Sequence, residues 1–205
     1  MNGVGRFMDG VSRRRVLRAG AFATGAAFLG GGSGVAVALP SGWSDLSLKE
    51  QLKAVRKATI PYKRLEEMDR AGYVSANIPL FCSEGYHFDK VSLWNELDPE
   101  QPGSLFYVID EGGKLKLGGV EFLLHTDLGD PGPKPDLFND EGEPPNGSPL
   151  LGTSEEEGWH LITDPATGFA VWDLHVWVHE KNPLGVFSLP NPRFADMPGC
   201  VPLEL

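Results

Sequence analysis

Histidine side chains carry the clearest chemical signal in this sequence. Histidine is the commonest metal ligand and the usual general acid or base near neutral pH, so each one is a candidate for a metal site or for proton transfer. The five histidines are His87, His125, His160, His175 and His179. The chain has neither a Gly-rich phosphate loop nor a Gly-x-Ser-x-Gly elbow, which disfavours nucleotide binding and the hydrolase folds built on that elbow.

The spacing of His175 and His179 indicates that they do not bind the same metal ion. The two are four residues apart and on a helix would bind one ion, but the Val and Trp content of Phe169–His179 predicts a strand. At roughly 3.3 Å per residue, two such positions on a strand lie about 13 Å apart. They cannot then share a metal, and His175, in the middle of the strand, is the better candidate.

Glu121 stands between two apolar residues, Val120 and Phe122. A carboxylate inside such a strand needs a partner, a metal or a raised pKa. The alternative is a position on the solvent side of a half-exposed sheet. For His87 and His160 the alternative is a hydrogen-bonded structural role, which is the role that we assign to His160 at a predicted strand start.

The elements that position these residues begin with two predicted helices. Ser47–Glu50 opens the first helix with a capping box, and Pro61 breaks or kinks it. A second helix is predicted from about Tyr62 to Arg70, with Gly72 in the C-cap position. These helices are expected to pack on the rest of the domain and to carry no chemistry.

Strands follow the helices. Leu105–Ile109 and Lys114–His125 read as a hairpin joined by turn residues, and Gly118-Gly119 inside the second strand predicts a bulge. Residues 127–158 read as a long acidic loop rich in proline and glycine. The sequence therefore predicts an α+β domain whose N-terminal helices pack on an antiparallel sheet, curled or shaped like a half-barrel.

An export signal is indicated at the N-terminal end. Arg13 and Arg14 follow a serine and precede an apolar run that closes on Ala36-Val37-Ala38, a small-x-small site for a signal peptidase. We expect residues 1–38 to be a twin-arginine signal peptide, recognised by the twin-arginine (Tat) translocase and cleaved after Ala38. Residues 39–205 would then be one extracellular, periplasmic or cell-surface domain without stable membrane insertion. The alternative is an uncleaved N-terminal anchor.

Charge and cysteine content constrain the partners and the compartment. The formal net charge of −10 repels phosphate backbones, so no nucleic-acid partner is expected. Cys82 and Cys200 are the two cysteines of the chain, and in an exported protein such a pair favours a disulfide over free thiols. The alternative is a reactive or metal-bound thiol.

Four stretches of the sequence resemble an uncharacterised family of twin-arginine-exported bacterial and archaeal proteins. The stretches are Ala58–Tyr73, Gly85-Tyr86-His87-Phe88, Gly119-Val120-Glu121-Phe122, and Leu174-His175-Val176-Trp177-Val178 together with Asn182-Pro183-Leu184-Gly185-Val186-Phe187 and Asn191-Pro192. In such relatives we expect Met before the Gly-x-His motif, Tyr after the Glu and Trp before the Asn-Pro. This chain has Glu84, Phe122 and Pro190 at those positions.

The resemblance implies a metal site. Its His, Glu and His positions correspond to His87, Glu121 and His175 on three separate segments, which suits a two-His-one-carboxylate site with open positions for Fe, Cu, Mn or Zn. Asp173 would orient an imidazole, and Tyr86 and Trp177 would wall the pocket. The alternative hypothesis is a non-catalytic module that binds a small molecule or surface polymer in a groove lined by aromatic residues, namely Trp94, Trp159, Trp172 and Trp177.

Overall fold

The structure is a computed structural model that describes residues 39–76, 78–127, 129–130, 135–138, 158–164 and 169–201. These residues belong to one compact unit, Ala36–Leu205. The predicted signal peptide, with Arg13, Arg14 and the cleavage position after Ala38, lies outside the described residues. So does most of the predicted 127–158 loop, of which Leu137 and Phe138 are described and buried.

In the described residues two α-helices precede the sheet, as predicted, although the second begins at Leu65 instead of near Tyr62. Helix α1 spans Leu48–Thr59 and begins with the predicted capping box, in which the Ser47 N–H donates to Glu50 Oε2 at 2.9 Å. Pro61 sits in a 3₁₀ turn that ends α1, and α2 spans Leu65–Ala71. Gly72 closes α2 with a left-handed φ of 91°, which glycine adopts without strain.

Among the residues that the structure describes, six antiparallel strands form one sheet that does not close into a barrel. The strands are β1 (Val74–Ser75), β2 (Tyr86–Asp89), β3 (Ser104–Ile109), β4 (Leu115–Asp127), β5 (Trp159–Asp164) and β6 (Phe169–Val176). Their order across the sheet is β1-β2-β3-β4-β6-β5, and every neighbouring pair is antiparallel. The α+β class with an antiparallel sheet is therefore confirmed.

The last strand is shorter than the sequence pattern predicts. β6 ends at Val176, whereas the apolar run continues to His179. The Val178 N–H turns back onto the Val176 carbonyl at 2.9 Å, and the His179 N–H donates to the Gly118 carbonyl at 3.1 Å. The first bond is a tight local turn that ends the regular ladder after Val176, and the second holds the following residues against Gly118 of β4.

The two faces of the sheet differ in chemistry. On one face apolar residues such as Phe122 and its ladder partner Leu174 pack in a core that includes Trp43 and Val55 from the N-terminal part. Directly opposed residues of a ladder share a face, and successive residues alternate between faces. The other face, which we call the polar face, therefore carries Glu121 opposite His175, His87 opposite Phe106, and His160 opposite Asp173.

The predicted bulge lies where β3 meets β4. The register passes from Phe106 opposite Gly119 to Tyr107 opposite Leu117, which leaves Gly118 as the extra residue. A Cβ atom added at Gly119 would collide with the Val176 carbonyl oxygen and with the Phe106 ring. Gly119 is therefore needed because both the neighbouring strand and an aromatic ring approach its backbone closely.

A disulfide joins Cys82 to Cys200 across 118 positions of the chain, which confirms the predicted pairing. Backbone hydrogen bonds accompany it. The Val201 N–H donates to the Leu80 carbonyl at 2.8 Å, and the Cys82 N–H donates to the Val201 carbonyl at 2.9 Å. The C-terminal tail is thus fastened to the segment before β2, and such a bond fits an oxidising compartment.

Within the described part of the chain, none of the helices has the length and apolar character that a membrane span requires.

Removal of the disulfide is expected to lower the free energy of unfolding by about 2–5 kcal/mol, because the long loop it closes restricts the unfolded chain. The double variant Cys82→Ser, Cys200→Ser should show a lower urea midpoint than the oxidised wild type. The two proteins should coincide when the wild type is reduced. Equal midpoints under oxidising conditions would contradict a stabilising bond.

Gly119→Ala is expected to destabilise the protein by at least about 2 kcal/mol, because the added methyl group meets backbone and a packed ring. Gly129→Ala is the matched control, since an added Cβ there meets no atom within 4 Å. Its change should stay within about 0.5 kcal/mol. Urea unfolding measures both, and similar values for the two variants would argue against the close approach at Gly119.

Candidate metal centre

Three strands bring His87, Glu121 and His175 together on the polar face. Glu121 and His175 are ladder partners on β4 and β6, and His87 comes from β2, on the far side of β3. The ring of Phe106, on β3, lies beside both imidazoles, with centroids 6.0 Å from His87 and 5.3 Å from His175. Phe106 therefore forms an apolar floor over which the three polar side chains converge.

The ligand atoms of this trio have spacings that suit a shared ion. His87 Nε2 lies 3.0 Å from His175 Nε2 and 3.7 Å from Glu121 Oε2, and all three residues have a ligand atom within 4.8 Å of the others. Two nitrogens that each lie about 2.0–2.1 Å from one metal are roughly 3–3.4 Å apart at ordinary bond angles. Little movement is needed for both imidazoles to bind one ion.

Burial sets the electrostatics of the trio. The exposed fractions of His87, Glu121 and His175 are 6%, 7% and 3%. Burial, with a further contribution from His175, lowers the pKa of His87 to about 3. Burial, followed by the nearby Asp173 carboxyl, raises the pKa of Glu121 well above its usual value. His87 is therefore neutral at pH 7, which is the protonation state that a metal-ligating histidine needs.

Asp173 lies beside the trio in the position predicted for an orienting carboxylate. Its Oδ2 is 3.4 Å from His175 Nδ1, at an angle that makes no hydrogen bond. Burial raises the pKa of Asp173 to about 7, the hydrogen bond with Glu121 opposes this rise, and Glu84 adds to it. A carboxylate behind the outer nitrogen of a ligating histidine typically fixes the ring and strengthens it as a donor.

Unpaired buried atoms mark the site. His87 Nδ1, His175 Nδ1 and Asp173 Oδ1 are enclosed, and none has a hydrogen-bond partner within the residues that the structure describes. Among all buried polar side chains that the structure describes, none is a lysine or an arginine. No buried lysine or arginine of the described residues therefore neutralises the carboxyls of Glu121 and Asp173, and a cation bound between the Nε2 atoms would do so.

Trp177, one of the two predicted pocket walls, adjoins the site through Phe106. Trp177 packs edge-on against Phe106 at 4.6 Å and donates its indole N–H to the Ser188 carbonyl at 2.8 Å. Tyr86, the other predicted wall, is partly buried against the apolar cluster that contains Phe106 and Trp177. The ring that contacts both imidazoles is Phe106, which sequence reasoning did not single out.

Two other histidines lie apart from the trio. His179 Nε2 is 2.8 Å from Thr59 Oγ1, at the end of α1, so it is held by a helix and shares no ligand set with His175. His125 is partly buried against the Trp94 ring, with centroids 4.7 Å apart. Both positions agree with structural roles.

Glu84 and His160 are the residues of this region that the sequence did not identify as functional. Both are 7% exposed. Burial raises the pKa of Glu84, with His175 and Glu121 also acting on it. Burial, followed by His175, lowers the pKa of His160 to about 4. The charge of the trio therefore affects the pKa of both residues. We predicted a hydrogen-bonded structural role for His160, but its enclosed Nε2 has no hydrogen-bond partner in the described part of the chain.

The tryptophans proposed to line a binding groove are mostly interior residues. Trp159, Trp172 and Trp177 are 1%, 7% and 4% exposed and belong to the packed cores. Trp94, the fourth, packs on His125. Because three of the four rings are covered by other side chains, they do not form an open aromatic surface.

Comparison with known proteins gave no relative: no family model, no curated protein and no solved structure matches this chain.

Asp173→Asn is expected to change the pH dependence of stability in protein treated with a chelator. The Asp173 pKa is raised from 3.8 to about 7 by burial, so between these values the folded state binds more protons than the unfolded state. This contribution makes stability fall as the pH rises from about 4 to about 7. The Asn variant lacks it and should gain stability relative to wild type across that range.

Urea unfolding at several pH values measures this difference. A stability difference between Asp173→Asn and wild type that stays constant with pH would show that Asp173 has an ordinary pKa.

Proposed function

We propose that this protein is an exported metal-binding protein whose ion is held by His87, Glu121 and His175. The observation that carries the proposal is the approach of the two Nε2 atoms to 3.0 Å, with the Glu121 carboxylate 3.7 Å from one of them. Two imidazole nitrogens that meet a carboxylate, with no lysine or arginine among the buried described residues, are the donors that a divalent cation requires.

The ligand atoms limit which metal ions the site can bind. Two nitrogens and one carboxylate oxygen without sulfur suit Zn, Mn, Fe or Cu(II), and they disfavour Cu(I), which prefers soft sulfur ligands. Three protein ligands leave open positions on the ion, and a metal bound in this way supplies Lewis-acid or redox chemistry to a small molecule that reaches it. Asp173, with Oδ2 3.4 Å from His175 Nδ1, would orient the His175 ring once the metal is bound, and Phe106 keeps the floor of the site apolar.

Export belongs to the same proposal. The Arg13-Arg14 motif and the Ala-x-Ala site at Ala38 support a twin-arginine signal peptide, and the Cys82–Cys200 bond suits the compartment to which it leads. The twin-arginine route carries proteins that fold before export, so a metal could be loaded in the cytoplasm. The resemblance to an uncharacterised family of exported proteins stands as part of this proposal.

Metal binding is tested by titrating the chelator-treated protein with Zn²⁺ or Mn²⁺ in a calorimeter. Wild type should bind tightly, and His87→Phe or Glu121→Gln should weaken binding at the trio by more than 100-fold because each loses a direct ligand. Asp173→Asn should weaken it by roughly 10–100-fold, the usual effect of losing an orienting carboxylate. His125→Phe, on the same face of the sheet but outside the trio, is the matched control.

The control should bind metal as wild type does. Equal metal affinities for wild type, His87→Phe and Glu121→Gln would contradict the proposed site. A wild type that binds neither Zn²⁺ nor Mn²⁺ would contradict it as well.

Export is tested with the double variant Arg13→Lys, Arg14→Lys in a bacterial host that has the twin-arginine translocase. Wild type should appear outside the cytoplasm with Leu39 as its first residue, and the variant should remain inside as the longer precursor. N-terminal sequencing and fractionation measure both. Export of the variant at the wild-type level would show that the arginine pair is not the signal.

A further inference from the structure

The disulfide lies close, along the chain, to one of the proposed metal ligands. Cys82 is five residues before His87 in the sequence. The turn that contains Cys82 is closed by the Gly85 N–H, which donates to the Phe81 carbonyl at 3.3 Å. Gly85 lies directly against β3, since a Cβ atom added there would be 2.5 Å from the Tyr107 carbonyl oxygen. The path from the disulfide to the His87 backbone is therefore short and tightly packed.

The C-terminal tail, residues 192–201, packs on the other side of the disulfide against the aromatic ring of the site. Phe106, whose ring lies beside both imidazoles, belongs to an apolar cluster that also contains Phe194 and Met197 of the tail. Cys200 packs against the same cluster. The Phe194 ring stacks on Trp177 at 5.9 Å, and Trp177 packs edge-on against Phe106. The tail therefore supports the ring over which the trio converges.

The covalent bond matters for the tail because regular secondary structure does little to hold it. Among the described residues after Val176, the only regular element is the short 3₁₀ turn Pro192–Phe194. Besides the disulfide, backbone hydrogen bonds join the tail to the turn before β2, for example from the Ser83 N–H to the Phe194 carbonyl at 3.0 Å. Breaking the disulfide would leave these weaker contacts to hold both segments in place.

We propose that this disulfide regulates the metal site, so that the oxidised chain binds a divalent ion tightly and the reduced chain binds it weakly. The inference rests on the proposed function. In the oxidised chain the ligand atoms are already close, with His87 Nε2 3.0 Å from His175 Nε2 and 3.7 Å from Glu121 Oε2. Reduction releases the tail and the turn. Affinity then falls, because part of the binding free energy is used to order the ligands again.

The chemical step is a thiol–disulfide exchange with a dithiol reductant. One thiolate of the reductant attacks a sulfur atom of the disulfide, the Cys82–Cys200 bond breaks, and a mixed disulfide forms. The second thiolate of the reductant then displaces the protein thiolate and closes the reductant's own disulfide. Two electrons and two protons pass to the two cysteines, and a disulfide oxidant reverses the reaction. Both cysteines are only partly buried, so a small dithiol can reach them.

Zinc affinity tests the regulation. The oxidised wild type is compared with the double variant Cys82→Ser, Cys200→Ser, which has neither the disulfide nor a thiol that would bind zinc itself. Calorimetric titration of chelator-treated protein should show Zn²⁺ binding about tenfold weaker in the double variant, within the usual range of couplings between two sites. Circular dichroism verifies folding, and Cys82→Ala, Cys200→Ala replaces the serine variant if the latter does not fold.

Val55→Ala is the matched control for a general loss of stability. Val55 is fully buried in the core on the opposite face of the sheet, outside the cluster that the tail joins, so its truncation destabilises the domain without loosening the tail. The zinc affinity of this variant should stay within about twofold of wild type, as for substitutions at distant, independent positions.

The same coupling must appear in the reduction potential of the disulfide, because two linked equilibria affect each other equally. Wild type is equilibrated in glutathione redox buffers with and without saturating Mn²⁺, an ion that prefers oxygen ligands to thiolates. Mn²⁺ should lower the potential by about 30 mV for each tenfold loss of affinity on reduction. Glu121→Gln, which lacks one ligand, should not show this shift.

Each contrary outcome has a distinct meaning. Equal zinc affinities in the oxidised wild type and the double variant overturn the regulation and leave the proposed function intact. An equal loss of affinity in Val55→Ala also overturns it, since the effect would then reflect the stability of the whole domain. So does an unchanged potential when Mn²⁺ saturates the site. A wild type that binds neither ion overturns the proposed function, and the regulation with it.

Discussion

A buried sheet face that carries acidic and imidazole groups without a basic partner is the constraint on which this structure depends. Glu121, Asp173 and His87 are enclosed there, and burial shifts the pKa of each toward its neutral form. No lysine or arginine is found among the buried polar residues that the structure describes. A divalent cation is the partner that would stabilise the ionised carboxylates.

The rest of the fold makes this burial possible. The opposite face of the sheet supplies the larger apolar core of the domain, and a second apolar cluster that includes Phe106 and Trp177 lies beside the site. Gly119 lets the Phe106 ring lie against the sheet, where it becomes the floor of the site. The tail, fastened by the Cys82–Cys200 bond, holds the turn that carries Glu84. A substitution in the C-terminal tail should therefore alter the position of Glu84 beside the site.

Local signals were sufficient to predict the parts of the fold that depend on short-range interactions. The capping box at Ser47, the C-cap at Gly72 and the glycine bulge are each determined by a few adjacent residues, and the structure confirms them. The trio came from motifs and could not have come from spacing, because His87 meets His175 only after three strand pairings are known. The sequence predicted only a structural role for His160, because its position opposite Asp173 depends on the register of the β5–β6 ladder, which local sequence does not reveal. Glu84 depends in the same way on how the distant tail packs.

The most direct test of the account is X-ray diffraction from crystals grown with Zn²⁺, with data collected at the zinc absorption edge. We predict an anomalous peak at about 2.0–2.2 Å from the Nε2 atoms of His87 and His175 and from a carboxylate oxygen of Glu121. The opposite result would be no peak among these residues, with the two Nε2 atoms still in direct contact at 3.0 Å.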